Sequence, residues 1–284
     1  MSNVLAKKIL LTFKKLVLSS RAKESSELLK KLHFQKQNIL RGIPDKSVAR
    51  NAVHYISHNI RKGNINTTKA DLLHRIDEAI AHVTSSTSQI ASIGSKKIKR
   101  GMVVYVHGFS ESVLSILIKA KNEGINFEVH CTEEKPYMGG RLFATVLAKN
   151  KIQVKYYADL AIRQAMKRSD IVLMGANLIS ESGQIYGRIG SELIADVAER
   201  FDVPVYICSD TWKYSKEAAS EFDKNKLLRP QREIWSKPPK AVTVLNYGFE
   251  KIHPWLVTGI ISEIGIYKPH QLIFELKKNN PWMI

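Results

Sequence analysis

The sequence predicts an α/β protein in two parts, an all-helical first part and a parallel sheet with helices on both faces. Three observations predict it. No run in residues 1–100 has the pattern of a strand, and the period changes from helical to β-like at residue 102. Beyond that point, short β-branched runs alternate with amphipathic runs of helical length. Such alternation is the signature of strands feeding crossover helices.

In the first part, Leu5, Ile9, Leu10, Phe13, Leu16 and Val17 recur at helical spacing, and so do Leu28, Leu29 and Leu32. Pro44-Asp45 marks a break, after which Ser47 is placed to cap a helix through VARNAVHYISHNI. Gly63-Asn64 breaks the chain again, and Thr67 or Thr68 opens a helix through ADLLHRIDEAIAHV. The Ser/Thr patch TSSTSQ then separates that helix from IASIGSKKI.

The second part opens with the strand MVVYVHG and a helix closed by Gly124. Strand and helix then alternate as NFEVHC, GRLFATVLAKN, QVKYYA, DLAIRQAMKRS, DIVLMGA, GSELIADVAERF and VPVYICS. This is a Rossmann-like order, so the domains expected are 1–100, basic and helical, and 101–284, α/β. Residues 214–240, rich in Lys, Arg and Pro, read as a long surface excursion, and TVLNYGFEKI as one more strand. In such folds ligands sit at the carboxyl ends of the strands. Those ends are VHGFS, CTEEKP, YYADL, GANLIS and CSDTWKYS.

Composition narrows the class. Hydrophobic residues make up 44% and charged residues 25% of the 284, which is ordinary for a globular chain. No apolar stretch approaches the ~20 residues of a membrane span. Lysines interrupt the apolar face of the N-terminus, so it reads as an amphipathic helix of a cytoplasmic protein. The two cysteines, Cys131 and Cys208, lie in strand-like runs and read as buried free thiols. The nine histidines show no metal-ligand spacing, and no metal or cofactor is expected. GRIGSELIADVAE lacks the spacing of a dinucleotide fingerprint.

The net charge of +18 is unevenly placed. Residues 1–100 carry 20 Lys and Arg against 6 Asp and Glu, a net of +14, and the rest carries +4. A field of that kind attracts an acidic protein surface or RNA. Aromatic residues of an RNA-reading module do not accompany it.

Five pieces in order carry a family resemblance: IASIGSKKIKRGMVVYVHGFS, CTEEKPYMGGRLFA, VLMGANLISESGQIYGRIGS, ICSDTWKY and HPWLVTGIISEIGIYKP. Together they resemble the family that joins the α, β and δ subunits of translation initiation factor 2B to ribose-1,5-bisphosphate and methylthioribose-1-phosphate isomerases. The resemblance covers about residues 90–284, with NAVHYI the matching piece in the helical part.

The resemblance implies a phosphate pocket of His107, Gly108, Asn177, Gly187, Arg188 and Lys213. It also implies what is missing. The isomerases place a catalytic cysteine where Gly108 stands and an aspartate where Asn177 stands. Glycine has no side chain, and asparagine cannot act as a general base. Arg188 and Lys213 keep the positions of two phosphate-binding lysines, and Glu133-Glu134-Lys135-Pro136 echoes a Glu-Thr-Arg-Pro motif. An arginine supplied by the helical domain would be Arg41 or Arg50. His107 reads as structural.

The expectation is therefore a non-catalytic, initiation factor 2B-like subunit without catalytic residues, closest in character to an archaeal-type α-like chain. It would contact initiation factor 2 or the translation machinery and form a homodimer or higher oligomer. The alternatives are a sugar-phosphate isomerase with an altered site, binding a phosphorylated small molecule, and a protein that binds RNA through its basic helices.

Overall fold

The structure is a computed structural model and describes residues 2–42, 47–60, 63–216 and 228–283. The break at Pro44-Asp45 and residues 217–227 of the excursion lie outside the described residues. The chain forms two compact units. One comprises Met1–Ser86 with Trp212–Tyr214 and Leu276–Ile284, and the other comprises Thr87–Thr211 with Ser215–Glu275.

The first unit is helical: α1 (Ser2–Ser19), α2 (Ser25–Gly42), α3 (Ser47–Ser57) and most of α4 (Ile65–Gly94). The periodic residues Ile9, Leu10, Phe13 and Val17 form the buried face of α1, joined by Ala6. Helix α3 buries Val48, Ala49, Ala52, Val53 and Ile56. Each large apolar side chain fully buried in this way stabilises the fold by about 1.5–3 kcal/mol. Segments distant in sequence complete the unit. Asn51 Nδ2 donates to the carbonyls of Trp212 (2.8 Å) and Tyr214 (2.7 Å). The Tyr55 ring packs on Trp212 and Trp282 at centroid distances of 5.6 and 5.0 Å.

Helix α4 departs from expectation at both ends. It opens at Ile65, ahead of Thr67, because the Asn64 carboxamide accepts the Thr67 N–H at 2.9 Å and caps the first turn. It also runs through TSSTSQ. Ser86 is fully buried, and its hydroxyl accepts from Asn3 Nδ2 of α1 at 3.1 Å. A hydroxyl engaged with another helix does not compete for its own backbone, so the patch stays helical there.

The second unit is built on a seven-stranded sheet. The sequence-ordered elements are β1 (Val103–His107), α5 (Glu111–Asn122), β2 (Glu128–Thr132), α6 (Gly139–Lys149), β3 (Gln153–Tyr157), α7 (Ile162–Met166), β4 (Ile171–Gly175), β5 (Leu178–Ser180), β6 (Ile185–Arg188), α8 (Ser191–Glu199), β7 (Val205–Cys208), β8 (Tyr214–Ser215), β9 (Phe249–Ile252), β10 (Gly259–Ser262), β11 (Gly265–Tyr267) and α9 (Pro269–Asn279). The large sheet has the order β11-β10-β7-β4-β1-β2-β3. All its pairs are parallel except β10–β11. Central strands β1 and β4 are buried almost throughout, whereas the edge strand β3 is largely exposed. Two-sided cover is what a parallel sheet requires.

Three features were not anticipated. Residues 178–188 form the hairpin β5–β6, with Leu178 opposite Tyr186. The expected strand TVLNYGFEKI is reduced to β9, which joins β6 antiparallel in a second, four-stranded sheet. The edge strand β11 is antiparallel because only two residues separate it from β10, too few for a crossover.

Candidate functional site

The large sheet reverses its strand order between β1 and β4. The chain runs outward through β1, β2 and β3 and then returns to the other side of β1. A reversal of this kind opens a crevice at the carboxyl ends of the two strands. His107 is in register with Met174, so Gly108 and the Gly175-Ala176-Asn177 segment leave the sheet side by side. The close approach is tight: a Cβ on Gly175 would stand 2.7 Å from Ser110 Oγ, the hydroxyl that caps α5.

His107 is buried, and its Nε2 donates to the Ile189 carbonyl at 2.8 Å. That bond leaves Nδ1 as an acceptor, and it is buried with no partner among the described residues. Burial pushes the His107 pKa below its ordinary value, and the nearby Glu134 carboxylate only partly opposes this. The ring is a neutral acceptor at the mouth of β1.

Glu134 comes from the loop after β2. It is buried, and its backbone is left-handed at φ 60°. The Asp159 carboxylate holds this unusual geometry, accepting the N–H of Glu134 and of Lys135, each at 2.8 Å. Glu134 Oε1 accepts from Arg188 Nε at 2.7 Å, while Oε2 is buried without a partner among the described residues. A Cβ on Gly108, itself at φ +64°, would lie 3.3 Å from that Oε2. The Arg188 guanidinium also stacks on Tyr137 and Phe249, at 4.5 and 5.4 Å from the ring centroids.

Helix α8 begins at Gly190, whose left-handed backbone brings its Cα against the His107 ring. A helix start of this kind favours an anion. An anion is present, and it belongs to the chain: Glu250 on β9 accepts the Glu192 N–H at 2.8 Å and lies against the N–H groups of Gly190 and Ser191. The Glu192 carboxylate in turn accepts the His253 N–H at 2.8 Å. Pairing of Gly187 with Glu250 across β6–β9 sets this arrangement.

Glu250 is half-buried and its pKa is raised. Burial is the main cause, the Glu192 charge adds to it, and the three amides only partly offset it. The folded state therefore holds this proton more tightly than the unfolded chain does. Stability from Glu250 is fully present below its ordinary value of 4.5 and is lost as pH rises through the raised one. In the Glu250→Gln variant, the thermal midpoint should fall less between pH 4 and pH 7 than in the unmodified protein. Identical slopes would refute the assignment.

The structure thus brings together His107, Gly108 and Arg188, with Asn177 and Gly187 on adjoining strand ends. Asn177 is exposed, and its N–H donates to the Tyr186 carbonyl at 2.8 Å. Lys213 belongs to the helical unit, in a single 3-10 turn. Glu134, Asp159 and Glu250 were not assigned from sequence. The strand-end rule reaches the first two, because both follow a strand of the large sheet. Nothing local marks Glu250. The thiol Cys131, at the end of β2, is buried, and burial raises its pKa to about 12, so it is no nucleophile at neutral pH.

With this geometry in place, comparison with known proteins is decisive for the family. The model of the initiation factor 2 subunit family matches residues 2–269. The chain belongs to this family. A ribose 1,5-bisphosphate isomerase from Pyrococcus furiosus is 31% identical over 276 residues, covering 93% of this chain and 84% of the relative. The alpha subunit of translation initiation factor eIF2B from Dictyostelium discoideum is 27% identical over 227 residues, covering 76% and 70%. The crystal structure of a Pyrococcus horikoshii translation initiation factor eIF-2B superimposes with a TM-score of 0.75 at 23% identity, covering 96% of this chain and 93% of that one. The α/β fold of the initiation factor 2 subunit family is therefore the fold of this chain. Its members include both translation factors and isomerases, so the family alone does not choose between them. Among the described residues no helix is long and apolar enough to cross a membrane.

Proposed function

We propose that this protein is a non-catalytic, initiation factor 2B-like regulatory or binding subunit. One observation carries the reading: the chain's own carboxylates hold both features that would receive a substrate phosphate. Glu134 takes Arg188, and Glu250 takes the amides that open α8. A dianionic phosphate brought there would meet two negative charges instead of empty donors. Gly108 and Asn177 agree with this, since neither can move a proton at the strand ends. The expected work is protein–protein contact with initiation factor 2 or related translation components, made by the basic helical unit, with assembly into a homo-oligomer.

The second reading is a sugar-phosphate isomerase, favoured by a different observation. His107 Nδ1 and Glu134 Oε2 are both buried acceptors without a donor among the described residues, and a sugar hydroxyl is such a donor. The two readings separate in one assay with purified full-length protein and ribose 1,5-bisphosphate, followed by phosphorus NMR. No turnover above the heat-inactivated control is expected. Turnover that disappears in Lys213→Ala would establish the isomerase instead. In parallel, initiation factor 2 subunits should co-purify with the protein after nuclease treatment, and their absence would count against the regulatory reading.

A further inference from the structure

The helical unit contains a cleft of about 980 Å³ between α2, α3 and its neighbours, unrelated to the strand-end crevice. Its floor is apolar, formed by Phe13, Leu29, Ile56 and Leu72. Phe34 stands at its edge, 68% exposed, although it is one of the largest apolar side chains of α2. Lys30, Lys36 and Arg41, all on α2, are among its lining residues. No carboxylate lines the cleft among the described residues.

Lys36 is the telling group. It is half-buried, and its Nζ donates to a neutral partner, Ser57 Oγ, at 2.8 Å. Ser57 in turn donates to the Val53 carbonyl at 2.8 Å. Burial lowers the Lys36 pKa, and no carboxylate among the described residues compensates for it. An ammonium drawn over an apolar floor without a counter-ion is costly, and an incoming anion relieves that cost.

The spacing of the charges decides what kind of anion. From Lys30 to Arg41 the helix axis advances about 16 Å. A single carboxylate or phosphate headgroup reaches one end of that row. A helix with acidic residues at three- and four-residue intervals along one flank, and aliphatic residues on the next, matches both the row and the floor. A second copy of this chain does not match, because its helical part is itself strongly basic.

We infer that this cleft is the docking groove for an acidic amphipathic helix of a protein partner. The inference rests on the protein–protein reading above and gives it a location.

The test uses full-length protein and a fluorescein-labelled 18-residue peptide designed as a helix, with a leucine stripe flanked by glutamates. Fluorescence anisotropy should show micromolar binding. It should weaken at least 10-fold in Lys36→Glu/Arg41→Glu and in Leu29→Gln, each checked for folding by circular dichroism. The exposed pair Lys30→Glu/Arg41→Glu serves if Lys36→Glu does not fold. A peptide with lysines for the glutamates should fail on the unmodified protein and bind the charge-reversed variant. Equal binding of a peptide with serines for the leucines would overturn the groove, because a general basic surface would suffice. Sodium dodecanoate saturating the cleft while the peptide fails to bind would overturn it in favour of a lipid-like ligand. Co-purification of initiation factor 2 without peptide binding overturns the groove alone. Peptide binding without co-purification supports the groove and counts against the partner named above.

Discussion

Replacing Arg188 with alanine is expected to lower the unfolding free energy by about 3–5 kcal/mol, the usual cost of stranding one member of a buried ion pair. Glu134 is the stranded member. Its side chain is fully buried, one oxygen is 2.7 Å from Arg188 Nε, and the other has no partner among the described residues. Removing the guanidinium also strips cation–π contacts from Tyr137 and Phe249. Adding Glu134→Gln to Arg188→Ala should restore most of the loss, because a neutral carboxamide tolerates burial far better than a carboxylate. Urea denaturation of the four proteins in this cycle measures the coupling. A single-variant loss under about 1 kcal/mol, or no recovery in the double variant, would mean that the pair does not hold the loop after β2.

Gly140→Ala should be at least as damaging. A Cβ there would come to 1.7 Å from the Thr132 carbonyl oxygen and 2.9 Å from its carbon. Both are backbone atoms at the end of β2, so no side-chain rotation relieves the clash. Helix α6 would have to back away from the sheet and uncover Phe143 and Leu147, both fully buried. Overpacking with backbone displacement costs about 1–3 kcal/mol, and the lost burial adds to it, so a total above about 3 kcal/mol is expected. The thermal midpoint should fall by roughly 6–12 °C for a unit of this size. Gly139→Ala makes an informative contrast. Its Cβ would meet the Glu134 carboxylate instead, a side chain that can shift, so it should disturb the Arg188 pair more than the fold. A midpoint for Gly140→Ala within 2 °C of the unmodified protein would show that α6 is not seated as described.

The sheet was legible from sequence because its strands are short, β-branched and spaced by helical runs. VVYVH and IVLMG are buried on both faces, which leaves no polar alternation to mislead. The hairpin β5–β6 was not legible, since its strands have three and four residues and carry too little periodicity. The length of α4 was hidden because a Ser/Thr run reads as a break, and the partner of Ser86 is Asn3 on α1, 83 residues away. At the candidate site, His107, Gly108 and Arg188 were named from position and resemblance. Their carboxylate partners escaped because the bonds span 54 residues from Glu134 to Arg188 and 58 from Glu192 to Glu250. Contacts of that range are set by topology, and a single sequence carries no local trace of them.

The make-up of the helical unit has a consequence for how the protein is born. Residues up to Ser86 are translated well before Trp212 and Trp282, which complete the aromatic cluster around Tyr55. The helices made ahead of the α/β unit are therefore completed after it. Until Trp282 emerges, these nascent helices keep an unfilled apolar face and a strong positive charge beside the polyanionic ribosome. Their folding is a closing event, held back until the α/β unit behind them has been translated.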